Sequence, residues 1–214
     1  MKTRDRIIHS ATELFNDQGE RNITTNHIAA HLGISPGNLY YHFRNKEDII
    51  HSIFDQYARH LSESFTPARS NEIKLENLMG YLDAIFYLMW QFRFFYANLP
   101  DILSRDEPLQ QKYLKAQEQL RSSVVALLRS LREGGIIDVN DEDLPDLGQT
   151  IKMVVTCWIP FQIAQAPHTR ITKPLLYQGV LRVLFLLRPY IQPQVAGQIR
   201  QLEQHYSQLA QPAG

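Results

Sequence analysis

Residues 27–37 contain two spacings that are typical of enzyme sites. Residues 33–37 read GISPG and match G-x-S-x-G, the nucleophile elbow of hydrolases. That elbow follows a buried strand, whereas the preceding IAAHL has a helical pattern, and Pro36 lacks the N–H that the oxyanion hole requires. His27 and His31 are four residues apart, as in zinc proteases, but no glutamate follows His27. We therefore expect neither nucleophilic catalysis nor a metal here.

The same stretch carries side chains suited to DNA. Asn26 and Asn38 can pair with adenine edges, and Gly37 lets the backbone approach a ligand closely. Side chains of phosphate-binding types surround them, namely Thr25, Tyr40, Tyr41, His42 and Lys46. The chemistry predicted for this segment is DNA recognition.

Two short helices joined by a turn would position these groups. Thr24 and Thr25 can cap the first helix, which Gly33 ends by accepting a left-handed conformation. Ser35 then caps a second helix with Pro36 in its first position. Apolar residues at positions 28, 29 and 32, and at 39 and 43, would face inward. This pattern predicts a helix-turn-helix whose second helix enters the major groove.

The order of residues from Thr24 to Glu47 resembles the DNA-binding signature of the TetR family of bacterial regulators. The resemblance implies an all-α homodimer with three N-terminal helices for DNA and a C-terminal domain that binds a small molecule. It also implies phosphate contacts from Thr25, Tyr40, His42 and Lys46, and positions nearest the bases for Asn26, Pro36, Gly37 and Asn38.

Apolar periodicity divides the chain into three parts. Residues 1–46 form the helix-turn-helix domain, 47–72 a connector helix and polar linker, and 73–214 a helical ligand-binding and dimerisation domain that begins near Ile73. In the last part we predict the helices Lys74–Asn98, Pro108–Glu133, Leu144–Ala166 with a kink at Pro160, Pro174–Arg188 and Pro193–Leu209.

Two C-terminal runs, YLMWQFRFFYANL and MVVTCWIPFQI, are apolar on nearly every side and predict buried helices. Their aromatic and sulfur side chains either fill the core or line a cavity for an apolar ligand. Arg93 either anchors an anion in that cavity or reaches the surface or a carboxylate. The candidate ligand residues are Trp90, Arg93, Phe94, Phe95, Met153, Trp158 and Phe161.

The run VLRVLFLL, residues 180–187, is too apolar for a solvated helix. It is either an internal core helix or, with the helix after Pro193, a dimer interface, and TetR-like proteins usually dimerise through their last two long helices. On the interface interpretation, Leu184→Glu should produce monomers.

Composition sets the wider limits. A net charge of zero weakly opposes nucleic-acid binding, although cations flank the proposed DNA-binding helices. We expect no secretory signal or membrane span, because no apolar run approaches about 18 residues. The single cysteine, Cys157, excludes an internal disulfide and cannot alone hold zinc. We therefore expect a cytoplasmic protein without membrane contacts.

The sequence favours a DNA-binding repressor that a small apolar effector releases from a palindromic operator. A helical enzyme acting on an apolar molecule is one alternative, and an architectural DNA-binding protein without a ligand is another. Residues 73–214 show no acid–base constellation and no metal ligand set, so we expect no catalytic residues, metal or cofactor.

Overall fold

The computed structural model describes residues 2–66, 75–167 and 170–212. Within these ranges the fold is all-α, as predicted, without a strand and with one isolated bridge between Ile137 and Ile191. The helices are α1 (Thr3–Gln18), α2 (Thr25–Leu32), α3 (Pro36–His42), α4 (Lys46–Ser64), α5 (Leu75–Gln91), α6 (Arg93–Ser104), α7 (Glu107–Glu133), α8 (Leu144–Gln165), α9 (Lys173–Leu187) and α10 (Ala196–Leu209). The predicted linker at 66–72, apart from Thr66, and the start near Ile73 lie outside the described residues.

The first three helices share one small core. Ile7 and Phe15 of α1, Ile28 of α2 and Leu39 of α3 are all buried. Each helix is short and contributes a single apolar stripe, so none of them can bury that stripe alone. The first half of α4 adds Ile49 to this core. The N-terminal domain is therefore anchored to the helix that leads away from it.

The predicted helix Lys74–Asn98 is divided in two. Helix α5 ends at Gln91. Phe92, with φ −118° and ψ 32°, then turns the chain into α6. Inside α6, Asn98 has non-helical backbone angles two residues before Pro100. Proline has no backbone N–H to donate, and its ring crowds the preceding turn of the helix. Because this run is apolar on nearly every side, its periodicity could not reveal the break.

Helices α8 and α9 pack closely at one point. The Trp158 indole lies against Gly179, and its Nε1–H donates to the Leu175 carbonyl at 2.8 Å. The prediction for α8 matches the structure within one residue at its C-terminus, and the helix continues through Pro160. The last helix, α10, packs on α9 through three buried side chains, Ile199, Leu202 and Tyr206.

The structure corrects the predicted role of Leu184. This side chain is 1% exposed within the single chain, so Leu184→Glu would disrupt the core rather than separate two folded copies. Exposed apolar side chains are found on α8 and α9 instead, where Met153, Phe161 and Phe185 are each more than half exposed. In the part of the chain that the structure describes, no helix is long and apolar enough to cross a membrane.

Candidate nucleic-acid interface and regulatory core

Local hydrogen bonds fix both ends of α2. The Thr24 hydroxyl accepts from the His27 N–H at 3.3 Å, and the Thr24 N–H donates to His27 Nδ1 at 3.3 Å. This reciprocal arrangement satisfies two backbone donors that the helix leaves free. Gly33 ends the helix with φ 65° and ψ 31°, and the Ile34 N–H returns to the Ala29 carbonyl at 3.0 Å. The turn between α2 and α3 is therefore set by a few local residues.

The next helix, α3, begins as predicted and shows one face to solvent. The Ser35 hydroxyl accepts from the Asn38 N–H at 3.2 Å, with Pro36 in the first turn. Leu39 and Phe43 are buried. Tyr41 is 85% exposed, so a flat polar–aromatic group projects from the side of α3 that faces away from the core.

A hydrogen bond joins α3 to the start of α2. The Thr25 and Tyr40 hydroxyls are 3.0 Å apart, while Asn26 is exposed beside them. We call this combined surface the reading surface. Its members are exposed or half-buried, and they are Thr24, Thr25, Asn26, Ser35, Pro36, Gly37, Asn38, Tyr40, Tyr41 and His42.

Lys46 differs from the other predicted DNA contacts because its ammonium points inward. The Lys46 Nζ lies 2.7 Å from Glu20 Oε1 and donates to the Glu20 carbonyl at 3.0 Å. Glu20 is 1% exposed, and its second carboxylate oxygen accepts from Arg105 Nη2 at 2.9 Å. A phosphate contact by Lys46 stays a prediction, since it requires the ammonium to leave this carboxylate.

Sequence reasoning missed the structural role of Glu20. The sequence does not indicate this contact, because Arg105 is 85 positions further along the chain than Glu20. The same region contains an Arg21–Asp101 ion pair, and Arg105 also approaches Asp101 at 3.1 Å. The Arg21 guanidinium lowers the pKa of Asp101 by hydrogen bonding to its carboxylate. These ion pairs connect the N-terminal domain to α6.

The seven candidate ligand residues do not share one cavity. Phe94 and Phe95 are core residues, with ring centres 5.2 Å from Phe15 and 5.8 Å from Phe54, respectively. The other five lie on two different surfaces. Met153, Trp158 and Phe161 line an open groove of about 630 Å³ along α8 and α9, and Trp90 and Arg93 line a separate cleft beside α1. The apolar pattern of a single helix shows which of its residues are buried. It does not show whether residues of two different helices line the same cavity.

A small, partly open cavity of about 50 Å³ lies among α4, α5, α6, α7 and α8. Its walls are mainly apolar, and a second cavity of about 50 Å³ shares several of the lining residues. The polar side chains in the wall are Tyr57, Tyr96, Gln117, Lys152 and Thr156. We call the two cavities together the core cavity. None of these polar side chains was among the candidate ligand residues, because they come from four separate helices.

Burial changes the acidity of the polar groups around the core cavity. The Tyr57 and Tyr96 hydroxyls are 3.4 Å apart, and burial raises the pKa of Tyr96 to about 12. Burial also raises the pKa of Tyr57 well above its ordinary value and lowers the pKa of Lys152. The two phenols therefore remain neutral hydrogen-bonding groups at neutral pH.

The exposed helix-turn-helix and the helical core domain define a DNA-binding transcription regulator. Residues 7–53 match the family model described as bacterial regulatory proteins, tetR family, and residues 56–199 match the TetR model, described as bacterial transcriptional repressor. The chain belongs to the TetR family. Members of this family are transcription regulators that bind DNA and typically form dimers.

Two relatives support this assignment. A TetR-family regulator from Marinobacter aquaeolei VT8 is 40% identical, with a TM-score of 0.86 over 96% of this chain and 99% of that one. An HTH-type transcriptional regulator of Staphylococcus aureus is 33% identical over 85 residues, which are 38% of this chain and 46% of the relative. The match thus spans about half the length of the curated relatives.

More distant structures share the fold alone. The structure of the SmeT–triclosan complex is 18% identical, with a TM-score of 0.59 over 90% of this chain and 93% of that one. A regulator from Saccharomonospora viridis in complex with choline is 16% identical, with a TM-score of 0.65 over 88% and 96% of the two chains.

Proposed function

We propose that this protein is a homodimeric repressor that leaves a palindromic operator when a small, largely apolar effector enters the core cavity. The observation that carries this proposal is the continuity of α4. The helix begins at Lys46, directly after the reading surface, and further along it Tyr57 and Leu61 line the cavity. A displacement of one end must therefore move the other.

On the DNA side, α3 would lie in the major groove. Asn26, Pro36, Gly37 and Asn38 would be nearest the bases, and Thr25, Tyr40, Tyr41 and His42 would bind phosphates. Thr24 and Ser35 would hold the two helix N-termini against the DNA backbone. The exposure of these residues supports the assignment.

On the effector side, the wall chemistry favours an apolar molecule with one or two hydrogen-bonding groups. The apolar wall would bind its body, and Tyr57, Tyr96 and Gln117 would orient its polar group. Each of the two cavities has a volume of about 50 Å³. An engineered cavity that binds benzene is larger, at about 150 Å³, so an effector of that size does not fit the core cavity as it stands. Binding would therefore push the helices apart, and α4 is one of them. The triclosan and choline complexes of two structural neighbours support ligand uptake by this fold.

The dimer would form through α8 and α9. Met153, Phe161 and Phe185 leave a contiguous apolar groove exposed on these helices, and a second copy related by a two-fold axis would cover it. Two reading surfaces would then face successive turns of a palindromic operator in the cytoplasm. The alternative function, an architectural DNA-binding protein, differs from a repressor in that no ligand would change its affinity for DNA.

Reciprocal binding tests this proposal. Apolar compounds that raise the unfolding temperature are titrated with and without operator DNA. We expect an effector to weaken operator binding by the same factor by which operator weakens effector binding. Asn38→Ala should lose operator preference and keep the affinity for the effector, because Asn38 lies outside the core cavity. If every tight ligand leaves operator affinity unchanged, the effector part of the proposal is rejected.

A further inference from the structure

A cleft of about 690 Å³ separates the end of α1 from the α5–α6 corner and the segment that enters α9. It shares no lining residue with the core cavity or with the groove on α8 and α9. The polar and aromatic side chains that matter here are Asn16, Asp17, Trp90, Arg93, Arg170 and Lys173. The cleft therefore lies where the N-terminal domain meets the C-terminal domain.

Two cations of the cleft lie beside the Trp90 ring. The Arg93 guanidinium lies 4.3 Å from the centre of the Trp90 ring, and the Lys173 ammonium lies 5.5 Å from the same centre. Arg93 Nη1–H also donates to the Trp90 carbonyl at 3.0 Å, which fixes its direction. The two cations are therefore less than about 10 Å apart, within reach of a ligand that carries two anionic groups.

Positive charge in the cleft exceeds negative charge. Asp17 is the one acidic side chain among the lining residues, and it pairs with Arg93 at 2.6 Å. Arg170 and Lys173 have no carboxylate within 4.0 Å among the described residues. Arg93 is only 14% exposed, and burial lowers its pKa despite Asp17. A further anion would therefore be stabilised at this site.

Asp17 is also one of two neighbouring links between the domains. The Asn16 amide donates to the Gln91 carbonyl at 2.9 Å, and its oxygen accepts from the Phe94 N–H at 3.0 Å. Asp17 is 65% exposed, so its carboxylate can leave Arg93 for water with little loss. An anion bound to Arg93 would leave Asn16 as the main link at this point.

We propose that this cleft binds a small organic dianion, a dicarboxylate or a phosphate monoester, which bridges Arg93 and Lys173 and replaces Asp17 at Arg93. This is a second regulatory site, distinct from the core cavity. Its occupation would loosen the attachment of α1 to the α5–α6 corner and so change the placement of the reading surface.

Calorimetric titration of the full chain with succinate and with inorganic phosphate tests the site, with neutral succinamide as the control ligand. We expect at least one of the two anions to bind saturably and succinamide not to bind. A preference for succinate would indicate a dicarboxylate ligand, and a preference for phosphate a phosphate monoester.

Three variants make the test specific. Lys173→Gln should weaken anion binding by about tenfold, because one charge-assisted contact is lost. Lys115→Gln removes the same charge from an exposed position on α7 and should leave binding unchanged. Asp17→Asn should tighten binding, because it removes the carboxylate that competes for Arg93.

The proposal is overturned if neither anion binds, if succinamide binds equally well, or if Lys173→Gln and Lys115→Gln behave alike. Weaker binding by Asp17→Asn would also contradict it. These titrations contain no DNA and do not involve the core cavity. Their failure would leave the proposed repressor function unaffected.

Discussion

At the scale of single residues, Glu20 lies near the reading surface but forms its ion pairs inside the protein. Its buried carboxylate contacts Lys46 at the start of α4 and Arg105 at the end of α6. Burying a charge is unfavourable unless partners compensate it, and the two cations offset the cost of burying the Glu20 carboxylate. The ion pairs thereby fix the connector helix to the C-terminal domain.

Lys46→Ala should therefore lower the stability of the protein. We expect the free energy of unfolding in urea to fall by roughly 1–3 kcal/mol, because the Glu20 carboxylate loses one of its two cations. Lys115→Ala, an exposed lysine on α7, should change it little. Equal stability of the two variants would show that the Lys46–Glu20 contact contributes nothing.

The same Lys46→Ala variant also tests the predicted phosphate contact. Neutralising one phosphate contributes about one unit to the slope of log affinity against log salt. A slope whose magnitude falls by about one supports the contact between Lys46 and a phosphate. An unchanged slope would show that Lys46 pairs with Glu20 and does not contact DNA.

Buried phenols should make the protein sensitive to alkali. The pKa of Tyr96 is raised to about 12 in the fold, while an unfolded tyrosine loses its proton near about pH 10. Stability present below about pH 10 should therefore decline as the pH rises toward about 12. Urea midpoints measured across this interval should fall less steeply for Tyr96→Phe than for the unaltered protein. Tyr41→Phe, at an 85% exposed position, should leave the slope unchanged.

Residue identity alone predicted the caps and the turn of the helix-turn-helix well and the contacts of the interior poorly. Capping by Thr24 and Ser35 and the turn at Gly33 depend on local hydrogen bonds and backbone preference, which the sequence shows directly. The Glu20–Arg105 contact and the grouping of Tyr57 with Gln117 join distant parts of the chain. No periodicity within one helix could reveal them.

At the scale of helices, the close packing of α8 on α9 depends on the absence of a side chain at position 179. A methyl group there would lie 2.7 Å from a carbon of the Trp158 ring, which its hydrogen bond to Leu175 holds in place. Proline and capping signals predicted the start of α8 and of α9 to within one residue. This contact between them was not foreseen, because the sequence does not show which helix faces meet.

Gly179→Ala should destabilise the protein by roughly 1–3 kcal/mol, because the two helices must separate to admit the methyl group. Gly80→Ala is the matched control, since it lies on an exposed helix position with open space around it. That substitution should be neutral or stabilise the protein by up to about 1 kcal/mol through helix propensity. Denaturant unfolding of both variants checks the pair, and similar midpoints would contradict the packing argument.

At the scale of the whole molecule, we propose that two copies assemble through the exposed groove on α8 and α9. Phe185→Glu should give folded monomers, because a charge would be buried in the two-fold interface but is solvated in the single chain. Leu114→Glu changes a similarly exposed apolar residue on α7, outside the groove, and should remain dimeric. Sedimentation velocity separates the two results, and a dimeric Phe185→Glu protein would move the interface elsewhere.

The central claim is that two copies of the reading surface recognise one symmetric DNA sequence. Selection of duplexes from a random pool by the purified protein tests it most directly. We predict enrichment of an inverted repeat whose half-sites are about one helical turn, 34–36 Å, apart. With Asn38→Ala, the preference at one base pair of each half-site should be lost, at about 1–3 kcal/mol. Recovery of no common sequence, or of a sequence without two-fold symmetry, would contradict the account.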